Sequence, residues 1–191
     1  MAGINRARPK LIAEAYMFNK STSSYGEKPC IFLSHNSADK EHAITIGDYI
    51  MKFADVDVYL DIYDDELQRA AEKQDAHAIT TLIERGIANS THTMCLVSEN
   101  TVKSWWVPFE LGYAKKSEKE ICSLKLKGDI TLPEYLSISP ILKGTKSLNI
   151  YIERLVSTWN MTQLNNSKIT TLLKSYSSAQ HPLDNTLDWN E

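Results

Sequence analysis

Glu110 stands out as the residue of this chain best placed to do chemistry. It belongs to the run SENTVKSWWVPFELGYAKK at positions 98–116, in which Trp106, Phe109, Glu110 and Tyr113 recur at helical spacing and are expected to share one face. A carboxylate among aromatic side chains is out of place, because desolvating its charge costs several kcal/mol unless it is paired or its pKa rises. Ser104 can cap this helix, and Pro108 suits a first turn, where backbone donors lack intrahelical partners. Glu110 is therefore expected near the positive end of the helix, which favours its ionised form. Spacing alone also fits a solvated glutamate beside a core stripe, so its setting in the rest of the chain matters.

That setting is a series of apolar runs that each end in short polar side chains. Residues 29–33 (PCIFL) read as a strand covered on both faces and end in Ser34, His35 and Asn36. A second strand at 56–62 leads into the acidic loop 61–66, with Asp61, Tyr63 and Asp64. A third, at 91–97, leads through Ser98 and Ser104 to Trp106 and Glu110. In open parallel sheets ligands bind beyond the carboxyl ends of the strands, so three polar loops at one edge predict a pocket there. Ser34 and His35 are adjacent and alternate in direction, which does not make a nucleophile and base pair; His35 reads first as a loop hydrogen-bonder. No glycine-rich phosphate loop is present, which argues against a conventional dinucleotide or nucleoside triphosphate site. No metal-ligand spacing occurs, and Cys30, Cys95 and Cys122 each sit alone in an apolar run as reduced, buried thiols. A phospho-receiver domain needs its acidic pair after the first strand, where this chain has Ser-His-Asn.

Helical patterns at 39–53, 75–89, after Ser104 within the stretch 98–116, and at 147–159 alternate with the three strands and a fourth at 120–126. A turn or short helix at 131–135 and an edge strand at 141–144 complete the pattern. The connections are too long for hairpins, so the expected fold is α/β: a central parallel sheet flanked by helices, with right-handed crossovers. The organisation expected is an N-terminal helical extension at 1–28 with a helix over 9–19, one domain at 29–159, and a C-terminal extension at 160–191 with a helix over 167–176 and a polar tail. With 191 residues, 42% hydrophobic and 24% charged, the chain has the composition of one soluble globular domain. Its net charge of -3 offers no general attraction to nucleic acid or anionic membrane. No signal peptide or membrane span is read, and a cytoplasmic location is expected.

The segment IFLSHNSADK from Ile31, the acidic loop after the second strand, and SWWVPFELGYA from Ser104 together resemble the Toll/interleukin-1 receptor (TIR) domain in its bacterial form, over about residues 29–159. The resemblance implies a flavodoxin-like three-layer fold. It also implies cleavage of NAD as substrate, with no cofactor, at the nicotinamide–ribose bond, giving linear or cyclic ADP-ribose as in Thoeris-type antiphage defence. The family's catalytic glutamate lies four residues after a tryptophan, matched here by Trp106 and Glu110. By the same carry-over Ser34, His35, Asn36, Asp61, Tyr63 and Ser104 would line the nucleotide site, with Trp106 or Tyr63 stacking on a ring. Self-association through TIR–TIR contacts and a downstream effector sensing the product are further implications. Two other readings remain: a TIR module that assembles partners without catalysis, and an enzyme of the nucleoside deoxyribosyltransferase type, which also sets a glutamate against a ribosyl carbon.

Overall fold

The computed structural model describes residues 2–8, 28–163 and 181–189. The expected helices at 9–19 and 167–176 lie outside these residues. Five strands, β1 (Cys30–Ser34), β2 (Asp57–Tyr59), β3 (His92–Val97), β4 (Glu120–Lys125) and β5 (Ile141–Leu142), pair in parallel in the order β2-β1-β3-β4-β5. Among the described residues five α-helices alternate with them: α1 (Lys40–Ala54), α2 (Asp65–Glu72), α3 (Ala76–Ala88), α4 (Trp106–Lys116) and α5 (Thr145–Gln163). This is the flavodoxin-like order, in which β1 and β3 diverge at the topological switch point.

Alternation along β1 divides the core. Ile31 and Leu33 face α1 and α5, where Ile46, Ile50, Leu148 and Ile152 are fully buried. Cys30 and Phe32 face the opposite layer, with Leu67 of α2 and Ile83 and Ile87 of α3. Two-sided burial explains why β1 reads as a continuous apolar run. The approach of α3 to the sheet is close: a Cβ on Gly86 would lie 2.7 Å from the Tyr59 ring and 3.0 Å from Phe32, whose rings stack at 5.6 Å. Glycine is needed there for space.

The strands and four of the helices follow the sequence pattern to within a few residues, and the weak run at 141–144 is the parallel edge strand β5. The expected turn or short helix at 131–135 is a 3-10 segment, Glu134–Ile138. The pattern did not reveal α2, an eight-residue helix with only Leu67 and Ala70 buried. Asp64 starts it, accepting from the Glu66 and Leu67 amides at 3.0 and 3.2 Å.

Both flanking segments, as far as they are described, are built onto the same core. Residues 3–6 run along the outer edge of β2, with Val58 N donating to Ile4 O at 3.0 Å and Arg6 N to Val58 O at 2.8 Å. Arg6 Nε and Lys28 Nζ close on Asp57 at 2.9 and 2.8 Å. This pairing blunts an otherwise open sheet edge. The expected polar tail is a correction: in residues 181–189, Leu183 and Leu187 are fully buried in the main core, and Thr186 O and Asp188 O accept from Lys127 N and Thr145 N at 2.9 and 2.7 Å. Two leucines four apart among polar residues carry too little periodicity to announce this. Among the described residues no helix is long and apolar enough to cross a membrane. Leu187→Ala is expected to lower unfolding stability by about 2–5 kcal/mol, read from the denaturant midpoint, whereas a solvated tail would give no change.

Candidate functional site

β1 delivers Ser34 to the switch point. Following Cys30 and Phe32 at a period of two, Ser34 faces the layer that carries α4. α4 crosses this face with Val107, Glu110, Leu111 and Ala114 as its buried stripe. Ser34 Oγ donates to Glu110 Oε2 at 2.5 Å, and Glu110 is 3% exposed. Beneath them Cys95, the register partner of Ser34 on β3, is sealed from solvent. Its thiol is held above the ordinary range by burial and then by the nearby Glu110, which makes it a poor nucleophile.

The charge state of Glu110 differs from the sequence expectation. Burial, and after it the charge of Asp61, pushes the Glu110 carboxyl up to about 8, against the opposing hydrogen bond from Ser34. Without ligand the group is therefore protonated at neutral pH rather than ionised. The helix dipole does not prevent this: α4 begins at Trp106, so Glu110 is its fifth residue, and the dipole's influence fades after the first turn. Ser104 does provide a capping acceptor, for Val107 N at 3.3 Å, one position before the Trp105 N-cap.

The aromatic face also differs. Trp106, Phe109 and Tyr113 form a half-exposed flank beside the buried stripe, with Trp106 edge-on to Phe109 at 6.2 Å and itself 40% exposed. Glu110 is buried with Val107, Leu111 and Ala114 of its own helix and bonded to the end of β1.

β2 brings in Asp61, the first residue of a 3-10 turn, Asp61–Tyr63. Its Oδ1 is enclosed with no hydrogen-bond donor among the described residues and lies 3.7 Å from His35 Nδ1. The side chain as a whole keeps 23% of its surface exposed. Burial raises the Asp61 carboxyl above the ordinary range, while the His35 imidazole pulls it down and Asp64 adds to the rise. His35 is turned inward, its Nδ1 3.0 Å from Leu33 O, a contact that places a hydrogen on Nδ1. Ser34, His35, Asp61 and Glu110 are thus brought together.

The remaining candidates are engaged nearby. Asn36 Oδ1 accepts from Ala38 N at 3.0 Å and its Nδ2 donates to Asn100 O at 3.2 Å. Tyr63 is half-buried with the Arg8 guanidinium 4.4 Å from its ring centroid, so one ring face is covered. Sequence reasoning missed Asp39, which is buried and accepts from Ser98 Oγ at 2.5 Å and Asn100 Nδ2 at 2.8 Å. With Asn36 these residues tie the loop after β1 to the loop after β3. The signal was an aspartate at the predicted helix start, indistinguishable in sequence from an ordinary cap. An open recess of about 250 Å³ lies between the loops after β3 and β4, lined by Glu99, Val102, Lys103, Asp129, Ile130 and Thr131, and does not include Glu110.

The sequence profile of the TIR domain family matches residues 31–151. Among solved structures, the TIR domain of the Toll-related receptor TRR-2 from Hydra magnipapillata superposes with a TM-score of 0.50 at 15% identity, covering 68% of this chain and 97% of that one. The IL-17 receptor B SEFIR domain aligns with a TM-score of 0.47 at 12% identity, over 68% and 95% of the two chains. At 15% identity the likeness speaks to the fold alone. No curated protein matches the chain in sequence.

A glutamate whose folded pKa is raised holds its proton where the unfolded chain has lost it. Its contribution to stability is complete below about 4.5 and is lost as pH rises through about 8. The loss is on the order of 5 kcal/mol at most. Glu110→Gln, which keeps an acceptor for Ser34, is therefore expected to raise Tm by several degrees more at pH 8.5 than at pH 5, measured by calorimetry at both values.

Proposed function

This chain belongs to the TIR-domain family, and we propose that it cleaves NAD between nicotinamide and ribose, with Glu110 as the catalytic residue. The observation that carries the reading is one enclosed carboxyl, bonded to Ser34 at the end of the central strand, where doubly wound sheets bind ligands. Ordinary glycosidases need two carboxyl groups, one to protonate the leaving oxygen and one to face the sugar cation. Nicotinamide in NAD is already cationic. When the bond to the anomeric carbon breaks, the electron pair goes to the ring nitrogen and the base leaves neutral, so no acid is required.

Glu110 then has one task, to set a negative charge against the developing oxocarbenium and the ribose hydroxyls. It must first lose its proton, and a cationic ring entering the site favours that loss. Water adds to the anomeric carbon to give ADP-ribose; in a site that limits water, an adenine nitrogen of the same molecule adds instead and closes a cyclic product. Either addition releases one proton. A product of this kind suits a signalling role of the antiphage type, with a downstream effector that senses it. Trp106, half-exposed beside the site, is the ring available for stacking.

A specific feature favours the assembly reading as a second one. Trp105, 91% exposed, stands in the chain between Val102, 57% exposed, on the loop leading into α4 and Trp106 at the start of that helix. An exposed apolar patch of this kind is suited to contact with another chain, including a second copy. Self-association next to the Glu110 helix is compatible with catalysis, so the two readings are separated by turnover rather than by oligomeric state.

Incubation with NAD and chromatography of the products is the deciding measurement. Release of nicotinamide that falls about 100-fold or more in Glu110→Gln supports the enzyme; no release at any concentration leaves the assembly module. kcat/KM is expected to fall about tenfold per pH unit below a midpoint near 8, the value at which Glu110 ionises. Turnover per chain is expected to drop on dilution, and to drop at higher concentration in Trp105→Ala; a constant value across the series overturns the role of the patch.

A further inference from the structure

The segment ahead of β1 carries two arginines two positions apart, and the fold uses only one of them. Arg6 is buried, with its Nε on Asp57 at 2.9 Å and its terminal nitrogens on Lys28 O and Asn89 O at 3.0 and 3.3 Å. Arg8 is exposed, and its guanidinium lies over the Tyr63 ring, 4.4 Å from the centroid. Among the described residues none of its N–H donors meets an acceptor and no carboxylate pairs with it. Acids are nevertheless close in the chain to Tyr63. Asp61 approaches His35, and Asp64 is held by Tyr59, Arg85 and the start of α2.

Register decides where Arg8 emerges. Asn5 pairs with Val58 in the parallel sense, and Asn5 Oδ1 accepts from Ala7 N and Leu60 N at 3.0 and 3.2 Å. The segment therefore runs in the direction of the five strands and brings Arg8 to the edge at which their carboxyl ends lie, where open parallel sheets bind ligands. Tyr63 lies at the same edge, closing the 3-10 turn that opens at Asp61, 3.7 Å from His35. His35 follows Ser34, the donor to Glu110. The Tyr63 ring packs against both core clusters, so it is a fixed support.

We propose that Arg8 is a positioning residue that binds the diphosphate of NAD and so holds the nicotinamide riboside end against Glu110. A guanidinium with unspent donors matches two oxygens of one phosphate group, and its planar fork suits them better than a point charge does. The Tyr63 ring supports the cation from one side without taking up its N–H groups. The diphosphate is joined to the nicotinamide ribose through the 5′ oxygen, so an anchor beside the loop after β2 and a carboxyl at the end of β1 engage one molecule at two points. The identity of the ligand rests on the NAD reading; the unspent guanidinium over Tyr63 does not.

Calorimetric binding of ADP-ribose, which keeps the diphosphate and lacks the nicotinamide bond, tests this without turnover. Arg8→Ala is expected to weaken binding about 10- to 100-fold and to flatten its dependence on salt. Its unfolding temperature is expected to stay near that of the wild-type protein, because Asn5 and Arg6 fasten the segment. Arg8→Lys, which restores the charge without the fork, is expected to recover part of the loss. In turnover by Arg8→Ala, KM for NAD is expected to rise by the same factor with kcat little changed, while kinetics with nicotinamide riboside, which has the scissile bond and no phosphate, stay as in the wild type. The proposal is overturned by a wild-type protein that does not bind ADP-ribose, by equal binding in Arg8→Ala, or by tighter binding in Arg8→Ala, the result of a guanidinium that merely covers Tyr63. Weakened binding in a protein that never consumes NAD would sustain the phosphate site while removing the enzymatic reading. NAD cleavage with the same KM in both proteins would do the reverse.

Discussion

The structure turns on the burial of one acid against the end of its central strand. Ser34 can reach Glu110 because β1 lies between β2 and β3 and because the strand's alternation points residue 34 toward the α4 layer. α4 can present Glu110 inward because Val107, Leu111 and Ala114 occupy the same stripe and bury around it. The hydrogen bond is therefore an outcome of packing on both sides, and it is also what makes that packing tolerable. A single hydroxyl donor does not offset the desolvation of a full charge, and the group responds by keeping its proton.

A second network explains why the site can hold an uncompensated acid without collapsing. Asp39, Ser98, Asn100 and Asn36 are mutually satisfied and pin the loops after β1 and β3 to one another. Asp64 is satisfied in the same manner by Tyr59 and by the amides that open α2. The acids whose oxygens are fully bonded are those that fasten loops. Asp61 is not fully bonded among the described residues, and it approaches the loop after β1 at His35, 3.7 Å away. The segments at the two ends extend the fastening outward, residues 3–6 along β2 and residues 181–189 against the main core.

Much of this was legible in the residues. Continuous apolar runs marked strands buried on two faces, and the polar side chains that ended them marked the sheet edge at which Ser34, His35, Asp61 and Glu110 meet. What the sequence hid depends on distance in space. The period of α4 fits two neighbouring faces, one with Trp106, Phe109 and Tyr113 and one with Val107, Leu111 and Ala114, and only the tertiary contacts decide which is covered. The proton on Glu110 was hidden for a related reason: a helix start is visible in sequence, whereas the depth of burial and the position of Asp61 are not. Leu183 and Leu187 looked like isolated apolar residues in a polar tail because their partners lie far away along the chain.

A protonated glutamate carries no charge with which to stabilise a cation, yet the energetics favour it as a starting point. An acid already ionised in a buried site would need permanent counter-charges, and these would compete with any cation that forms on a substrate. An acid kept neutral by desolvation and by a neighbouring carboxylate has no such partners to give up. Under the proposed cleavage of NAD its charge becomes favourable as positive charge reaches the sugar carbon, so the interaction grows along that reaction. Stabilisation that grows along the reaction in this way lowers a barrier, whereas stabilisation present throughout only tightens binding. The proton on Glu110 thus has two sources, burial first and the charge of Asp61 second.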